Sequence, residues 1–466
     1  MQGAIYPAAD IRRIERAFAD AAPSLMERAG EAAAALAVRL VKDNAKDVLV
    51  LAGPGNNGGD ARVVARRLQE RFFRVCIATR PGEIPERPWA LVVDGLFGIG
   101  LARELSGDYA AMVDHANRQS CPVLALDVPS GIDADTGRVL GHAVRATHTI
   151  TFIALKPGLL TLDGPDHCGE TTVADLGLSF NDKFPAEAWV AHPASFRSVL
   201  RPRPANFHKG LAGTLAVLGG APGMTGAALL AGRAALCLGA GRVRVGFLDE
   251  RHPAVDPQAA ELMLSDADVV LGADFDAVVV GPGLGTSERA ETILAAVLAS
   301  DAPCVLDADA LNILAETPEL RQACARRKAE TLLTPHPAEA GRLLAESTAT
   351  VQADRVKAAR ALSRHFNAHV VLKGNGSILA ARDGHWFINT TGNPGMASAG
   401  MGDVLAGLLG ALLAQRYSGE TSLVLGTHLH GAAADALVQE GSGPVGLAAS
   451  ELLRPARKIW NGWLRG

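Results

Sequence analysis

Residues 48–70 read VLVLAGPGNNGGDARVVARRLQE. An apolar run, VLVLA (48–52), leads through GPGNNGGD (53–60) into ARVVARRLQE (61–70), whose apolar residues recur at helical spacing. Strand, turn and helix in that order open a βα unit. A plain βα turn needs one or two glycines, and this one has four. Glycines let backbone N–H groups face an anion and the helix N-terminus adds its dipole, so a phosphate is the natural occupant. Asn56, Asn57 and Asp60 add oxygens suited to a ribose hydroxyl, an amide or a hard cation such as potassium. The turn is neither GxxxxGK[ST] nor GxGxxG, so neither a P-loop nor the ordinary dinucleotide fingerprint is expected.

Working outward, short Val/Ile/Leu runs alternate with longer Ala/Arg/Leu segments of helical period, which predicts a mostly parallel α/β sheet, and the pattern occurs twice. Strands are expected at 48–52, 74–78, 90–94, 122–127 and 147–153, then at 213–218, 242–247, 277–280, 304–307, 331–333 and 369–373. Between the two sets, FRSVLRPRPANFHKG (196–210) breaks both periods and marks a domain boundary. At 466 residues the chain is long enough for at least two cores. Its net charge of −4 supplies no basic field for nucleic acid. The six scattered cysteines predict reduced thiols rather than a disulfide framework. An N-terminus of mixed charge without a basic leader, and apolar stretches always broken by Arg, Asp or Gly, predict a cytoplasmic protein without a membrane partner; a homo-oligomer is the expected assembly.

In open α/β sheets ligands sit beyond the carboxyl ends of the strands. Besides residues 53–60, three such places in the first half are polar: Asp94 before GLFGIG (95–100), Asp127 before VPSGID (128–133), and Lys156 in TITFIALKPG (149–158). Singly, each reads equally well as a turn or cap residue. Converging on one crevice, an aspartate and a lysine shift each other's pKa and divide acid and base roles. In the second half, GNPGMASAGMGDVLAGLLGALLAQ (392–415) feeds Asp403 into a long apolar helix, with the N–H groups of Gly400, Met401 and Gly402 free to stabilise negative charge. Asp403 there suits a general base acting on a hydroxyl in phosphoryl transfer; a simple N-cap aspartate would not need GMG before it. DADALN (307–312) offers two carboxylates and an amide that either hold magnesium or phosphate or simply cap the next helix.

GPGNNGGD, DGLFGIGL, LDVPSGID and TFIALKPG, with LMERAG (25–30), together resemble the NAD(P)H-hydrate epimerase domain over roughly residues 10–190. The resemblance implies a Rossmann-like fold, a hydrated nucleotide held by Asn56, Asn57, Gly58, Gly59 and Asp60 and by Gly98, Ile99, Gly100, Leu101, Ala102, Arg103 and Glu104, potassium on Asn57, Asp94 and Ser130, and Asp127 on the substrate. Where that family's loop usually continues with glycine, this chain has Ala61. AGMGDVLAG, GNPGM, VVGPGLG (279–285), TPHPAEA (334–340) and LKGNGS (372–377) are similar to the ADP-dependent NAD(P)H-hydrate dehydratase, of ribokinase-like fold, over about residues 205–466. This implies adenine-nucleotide contacts at Lys373, Gly374, Asn375, Gly376, Ser377 and Gly402, and hydrate contacts at Ala227, Gly283, His336 and Asp403.

The expected domains are therefore 1–198 and 205–466, an isomerase joined to a lyase. The first epimerises R- and S-NAD(P)H hydrate (NADHX and NADPHX) through Asp127 and Lys156 with K+. The second dehydrates the S form with ADP as co-substrate and Mg2+. A small-molecule hydroxymethyl kinase with an accessory nucleotide-binding domain, and a nucleotide-binding scaffold without turnover, are the rival readings.

Overall fold

The computed structural model describes residues 3–42, 46–200 and 202–465. Residues 1, 2, 43–45 and 466 of the expected domains and Arg201 of the expected boundary lie outside the described residues. The chain forms two compact units that divide between Trp189 and Val190.

In the first unit β1 (Ala4–Ile5) pairs antiparallel with Ala188 and Trp189 of β8 (Ala188–Val190), the strand in which the two units divide. The main sheet holds β2 (Asp47–Ala52), β3 (Val75–Ala78), β4 (Trp89–Gly95), β5 (Val123–Leu126), β6 (His148–Phe152) and β7 (Glu170–Ala174), in the order β3-β2-β4-β5-β6-β7, all parallel. Side chains alternate across a strand, so β2 divides its apolar run. Val48 and Val50 enter one core with Ala33, Ala37, Val64 and Leu68 of the helices Leu25–Leu40 and Asn56–Glu70. Leu49 and Leu51 enter the opposite core with Met112 and Val113 of the helix Gly107–Asn117. Burial on both faces is why the strand reads as continuously apolar. The chain leaves β2 toward β3 on one side and returns to β4 on the other, which opens a crevice beyond the ends of β2 and β4.

The second unit is built on β9 (Thr214–Gly219), β10 (Arg242–Phe247), β11 (Met263–Asp266), β12 (Ala277–Val280), β13 (Cys304–Leu306), β14 (Thr331–Leu333), β15 (His369–Leu372), β16 (Ser377–Ala380) and β17 (Trp386–Asn389). Their order is β17-β16-β15-β14-β13-β12-β9-β10-β11. The run from β11 to β15 is parallel, and β16 and β17 add an antiparallel hairpin. The helix Met401–Ala414 lies over this sheet: beyond its first turn it is wholly buried, and Gly410 sits against Val279 and Leu215.

Every strand expected from the sequence is present to within a residue or two at each end. Those not expected, β1, β7, β8, β11, β16 and β17, are short or carry polar residues on an exposed side, as in ETTVA of β7 and MLSD of β11. Among the described residues no helix is long and apolar enough to cross a membrane, and all six cysteines are free thiols.

Candidate functional site

Two helices that follow glycine-rich turns start without a side-chain cap: Asn56–Glu70 after Gly55, and Met401–Ala414 after Gly400. Elsewhere Ser24, Ser287 and Ser418 each cap a helix through their hydroxyls. An uncapped start leaves backbone N–H groups for a ligand to satisfy.

In the first unit, Gly58 lies so close to Gly53 that a β-carbon there would overlap the Gly53 carbonyl oxygen, which folds the turn tightly over the end of β2. LMERAG backs it: Met26 packs on Gly59, and Gly30 lets its helix approach Val63. Ala61 is fully buried with its methyl against Gly95 of β4, so the departure at this position is absorbed inside the fold. Asn57 is 8% exposed and neither atom of its amide has a partner. Gly98 separates that amide from Asp127: a β-carbon on it would stand 2.9 Å from Asp127 Oδ2 and 3.4 Å from Asn57 Cγ.

Asp127 follows β5 at φ 65°, an outlier for a residue that is not glycine and a conformation found at functional sites. Its Oδ1 accepts from Lys156 Nζ at 2.5 Å and its Oδ2 from the Ile99 N–H at 3.3 Å. Lys156 is fully buried and donates also to Thr151 Oγ1 (2.9 Å) and the Phe152 carbonyl (2.7 Å), so all three ammonium hydrogens are engaged. Asp94, fully buried, accepts from the Ser130 hydroxyl (2.6 Å), the Ser130 N–H (2.8 Å) and the Leu96 N–H (3.2 Å). Burial outweighs those bonds and lifts its pKa to about 6. Asp60, three residues along the helix from Asn57, is pushed up to about 8 by burial, with Asp127 and Glu15 adding like charge.

The structure thus gathers Asn57, Asp60, Asp94, Gly98, Ile99, Asp127, Ser130 and Lys156 around one crevice. Asn56, Gly100, Ala102, Arg103 and Glu104 lie on its solvent side and are exposed, and Leu101 is half-buried there. Two residues of the first helix were missed. Arg12 donates to the Ile99 carbonyl at 2.7 Å, and Glu15, half-buried, has its pKa raised by burial and by Asp127. Nothing in an amphipathic helix marks one charged residue as facing a site, so only the folded chain reveals them.

In the second unit, Asp307 is buried after β13 and accepts from Lys373 Nζ at 2.9 Å; Glu339 Oε2 lies 3.8 Å from the same nitrogen. Burial disfavours the Lys373 ammonium, but Asp307, Glu339 and Asp403 outweigh it and its pKa is raised. Gly402 rests on this pair: a β-carbon there would be 3.3 Å from both Asp307 Oδ2 and Lys373 Nζ. Asp403, in the first helical turn, is lifted to about 6 by burial and then by Asp307, against the pull of Lys373. Asp309 accepts the Gly285 N–H at 2.8 Å, tying DADALN to VVGPGLG.

Gly283, at φ 60°, packs against Met224 and the Ala227 methyl. Gly374 N–H donates to Ser377 Oγ at 3.2 Å, which closes the turn between β15 and β16; Asn375 is exposed at its tip, and Gly376 is buried. His336 forms a capping box: its Nδ1 accepts from Ala338 and Glu339 N–H groups, and its own N–H donates to Glu339 Oε2 at 2.7 Å. Its ring is half-exposed, and burial followed by Lys373 lowers its pKa. Glu339 was not singled out from the sequence; its position three residues after the His336 cap was the available signal.

Each cluster places a lysine and carboxylates beside a glycine-led helix start at the carboxyl edge of a parallel sheet, an arrangement able to bind phosphate and move protons. Residues 215–456 match the family model described as NAD(P)H-hydrate dehydratase, and residues 22–85 and 78–158 match that of the YjeF-related protein N-terminus. A protein of Coxiella burnetii named bifunctional NAD(P)H-hydrate repair enzyme Nnr is 38% identical, the match covering 98% of this chain and 99% of that one. The crystal structure of the ADP/ATP-dependent NAD(P)H-hydrate dehydratase from Bacillus subtilis, co-crystallised with ATP and Mg2+, is 30% identical, with a TM-score of 0.53, over 59% of this chain and 98% of its own. A ribokinase-like superfamily protein of Enterococcus faecalis, 23% identical, covers 60% of this chain and 98% of its own at a TM-score of 0.53 and shares the fold of the second unit. The chain belongs to the family of bifunctional NAD(P)H-hydrate repair enzymes.

Proposed function

We propose that this chain restores hydrated NADH and NADPH in two steps, with residues 1–198 interconverting the R and S epimers and residues 205–466 dehydrating the S form with ADP, giving AMP and phosphate. The observation that carries the reading is the presence, in one chain matched end to end by repair enzymes, of two separate lysine–carboxylate clusters under uncapped helix starts.

The hydrate carries its hydroxyl on the carbon beside the ring nitrogen. In the first unit, the nitrogen lone pair expels the protonated hydroxyl as water, leaving an iminium, and water returns to the opposite face as a base takes its proton. No redox partner is needed. Asp127 meets the substrate, because its side chain is 12% exposed where Lys156 is sealed; Lys156 holds the carboxylate in place. The orphaned amide of Asn57 fits a cation site, and Asn57, Asp94 and Ser130 would hold potassium, whose charge would fix the nucleotide's oxygens. The 56–60 turn and residues 98–104 line the nucleotide.

In the second unit, Asp403 takes the proton of the hydrate hydroxyl as its oxygen bonds to the β-phosphorus of ADP and AMP departs. Loss of a proton from the neighbouring ring carbon then forms the ring double bond while phosphate leaves with the C–O electron pair. A hydroxyl is a poor leaving group and a phosphate a good one. The N–H groups of Gly400, Met401 and Gly402 face the transferring phosphoryl group, and Lys373 meets the diphosphate. Magnesium bound with the diphosphate would neutralise its charge, and Asp307, whose Oδ2 lies against Gly402, would help to hold it. Residues 374–377 hold the adenine nucleotide, while Ala227, Gly283 and His336 line the hydrate. The free thiols support a cytoplasmic setting.

The test follows the ultraviolet return of NADH from mixed hydrate epimers with ADP, magnesium and potassium. Complete conversion is expected. A stable phosphoester without NADH would favour a kinase instead, and tight binding with no change in substrate would favour a scaffold.

A further inference from the structure

Asp403 is delivered by a loop with little to hold it. None of residues 391–400 is buried, so the segment gains little from apolar packing. Its entry is pinned by one helix, Gly419–Gln439. At the entry, Asp435 of that helix accepts the Gly392 N–H through Oδ2 at 2.8 Å and the Asn393 side-chain N–H through Oδ1 at 2.9 Å. Asn393 in turn accepts the Gly395 N–H at 3.0 Å and caps the turn Pro394–Met396. Thr391 Oγ1 lies 2.9 Å from the His428 carbonyl of the same helix. At the exit, Gly400 turns the chain at φ 87° into Met401, the first residue of the helix. The next residue, Gly402, rests on Asp307 and Lys373.

Asp435 answers two donors of the loop at once, one with each carboxylate oxygen, and these are charge-assisted bonds of the stronger kind.

We propose that Asp435 is a positioning residue for the second unit's chemistry: by gripping Gly392 and Asn393 it sets the entry of the loop whose far end aims the Gly400–Gly402 N–H groups and Asp403 at the transferring phosphoryl group. It touches neither substrate nor nucleotide and acts through Asn393. The proposal rests on reading that loop as a phosphoryl-transfer site. Misplacing a reacting group by about an ångström costs about 10²-fold in rate, so the effect falls on turnover rather than on ground-state binding.

The experiment uses the full chain and compares wild type with Asn393→Ala, Asn393→Asp, Asp435→Asn and the exchanged pair Asn393→Asp/Asp435→Asn. The probes are NADH return with ADP, epimerisation by the same molecule, and the unfolding midpoint. Each single variant should lower the kcat of dehydration by about 10–100-fold while the KM for ADP stays within about threefold and epimerisation is unchanged. A defect of folding alone would instead lower the midpoint without splitting kcat from KM. The exchanged pair offers the same bonds with donor and acceptor reversed and should recover most of the rate. An unaffected Asn393→Ala overturns the proposal, whatever Asp435→Asn does to folding, as does an exchanged pair no faster than its slower parent. A wild-type chain that returns no NADH fails the reading of the site and takes the proposal with it; wild-type turnover with an unaffected Asn393→Ala fails the proposal alone.

Discussion

The two units assemble their sites from the same parts and use them differently. In the first, Lys156 is sealed, all three of its donors are engaged inside the protein, and the carboxylate it holds, Asp127, is the group at the mouth. In the second, Lys373 keeps 23% of its side chain exposed, has one close carboxylate partner in Asp307, and leaves Asp403 without a short bond to it. A sealed lysine can only hold its partner carboxylate in place. A half-open one can also reach an anion. On the proposed reading the same lysine–aspartate pairing would serve proton transfer where it is closed and phosphate contact where it is open, and the difference lies in burial rather than in residue type.

The comparison breaks most sharply at Asp403. Asp403→Ala should lower NADH return by about 10³-fold or more and leave epimerisation of the same chain untouched, read by the ultraviolet assay and by the ratio of epimers. Equal loss of both activities would mean that the sites do not act separately.

In the first unit, Asp127→Asn and Lys156→Met should each slow epimerisation by about 10²-fold or more, so that conversion of a mixed substrate stalls once the S form is exhausted. The double variant should be no worse than the slower single, because a charged pair acts as one device. Additive losses would show that Lys156 has a task of its own.

Potassium sharpens the contrast further. Its replacement by tetramethylammonium, or Asn57→Ala, should slow epimerisation by about tenfold and leave dehydration within twofold. A potassium effect confined to dehydration would reverse that assignment.

The smallest effect is on stability. Burial raises the pKa of Asp60 from the ordinary aspartate range to about 8 in the folded chain. Its contribution is therefore lost as pH rises from about 4 to about 8. Asp60→Asn removes that loss, so the unfolding midpoint of the first unit should gain a few degrees at pH 8 and almost nothing at pH 4. A larger gain at pH 4 would show that Asp60 is ionised and paired in the folded state.

Residues 53–60 were legible because a turn crowded with glycine and amides has few structural reasons to exist, and GMGD before an apolar helix is equally distinctive. Lys156 and Asp127 could be named because each follows a strand. Their contact could not, since β5 and β6 must first lie side by side before the end of one strand faces the loop after the other. Asp435 left no trace: it lies in a helix of ordinary composition, and its importance comes from what it touches.

By itself the sequence determined the two parallel α/β units, because strand and helix periods are local properties of a few residues, and it marked the glycine-led turns, whose backbone demands are also local. Tertiary structure alone decided which lysine is sealed and which stays open, why Asp60 is held so far above its ordinary pKa, and which helix pins the loop before Asp403. Those depend on distance and solvent exclusion between segments far apart in the chain, and neither is written in the order of neighbouring residues.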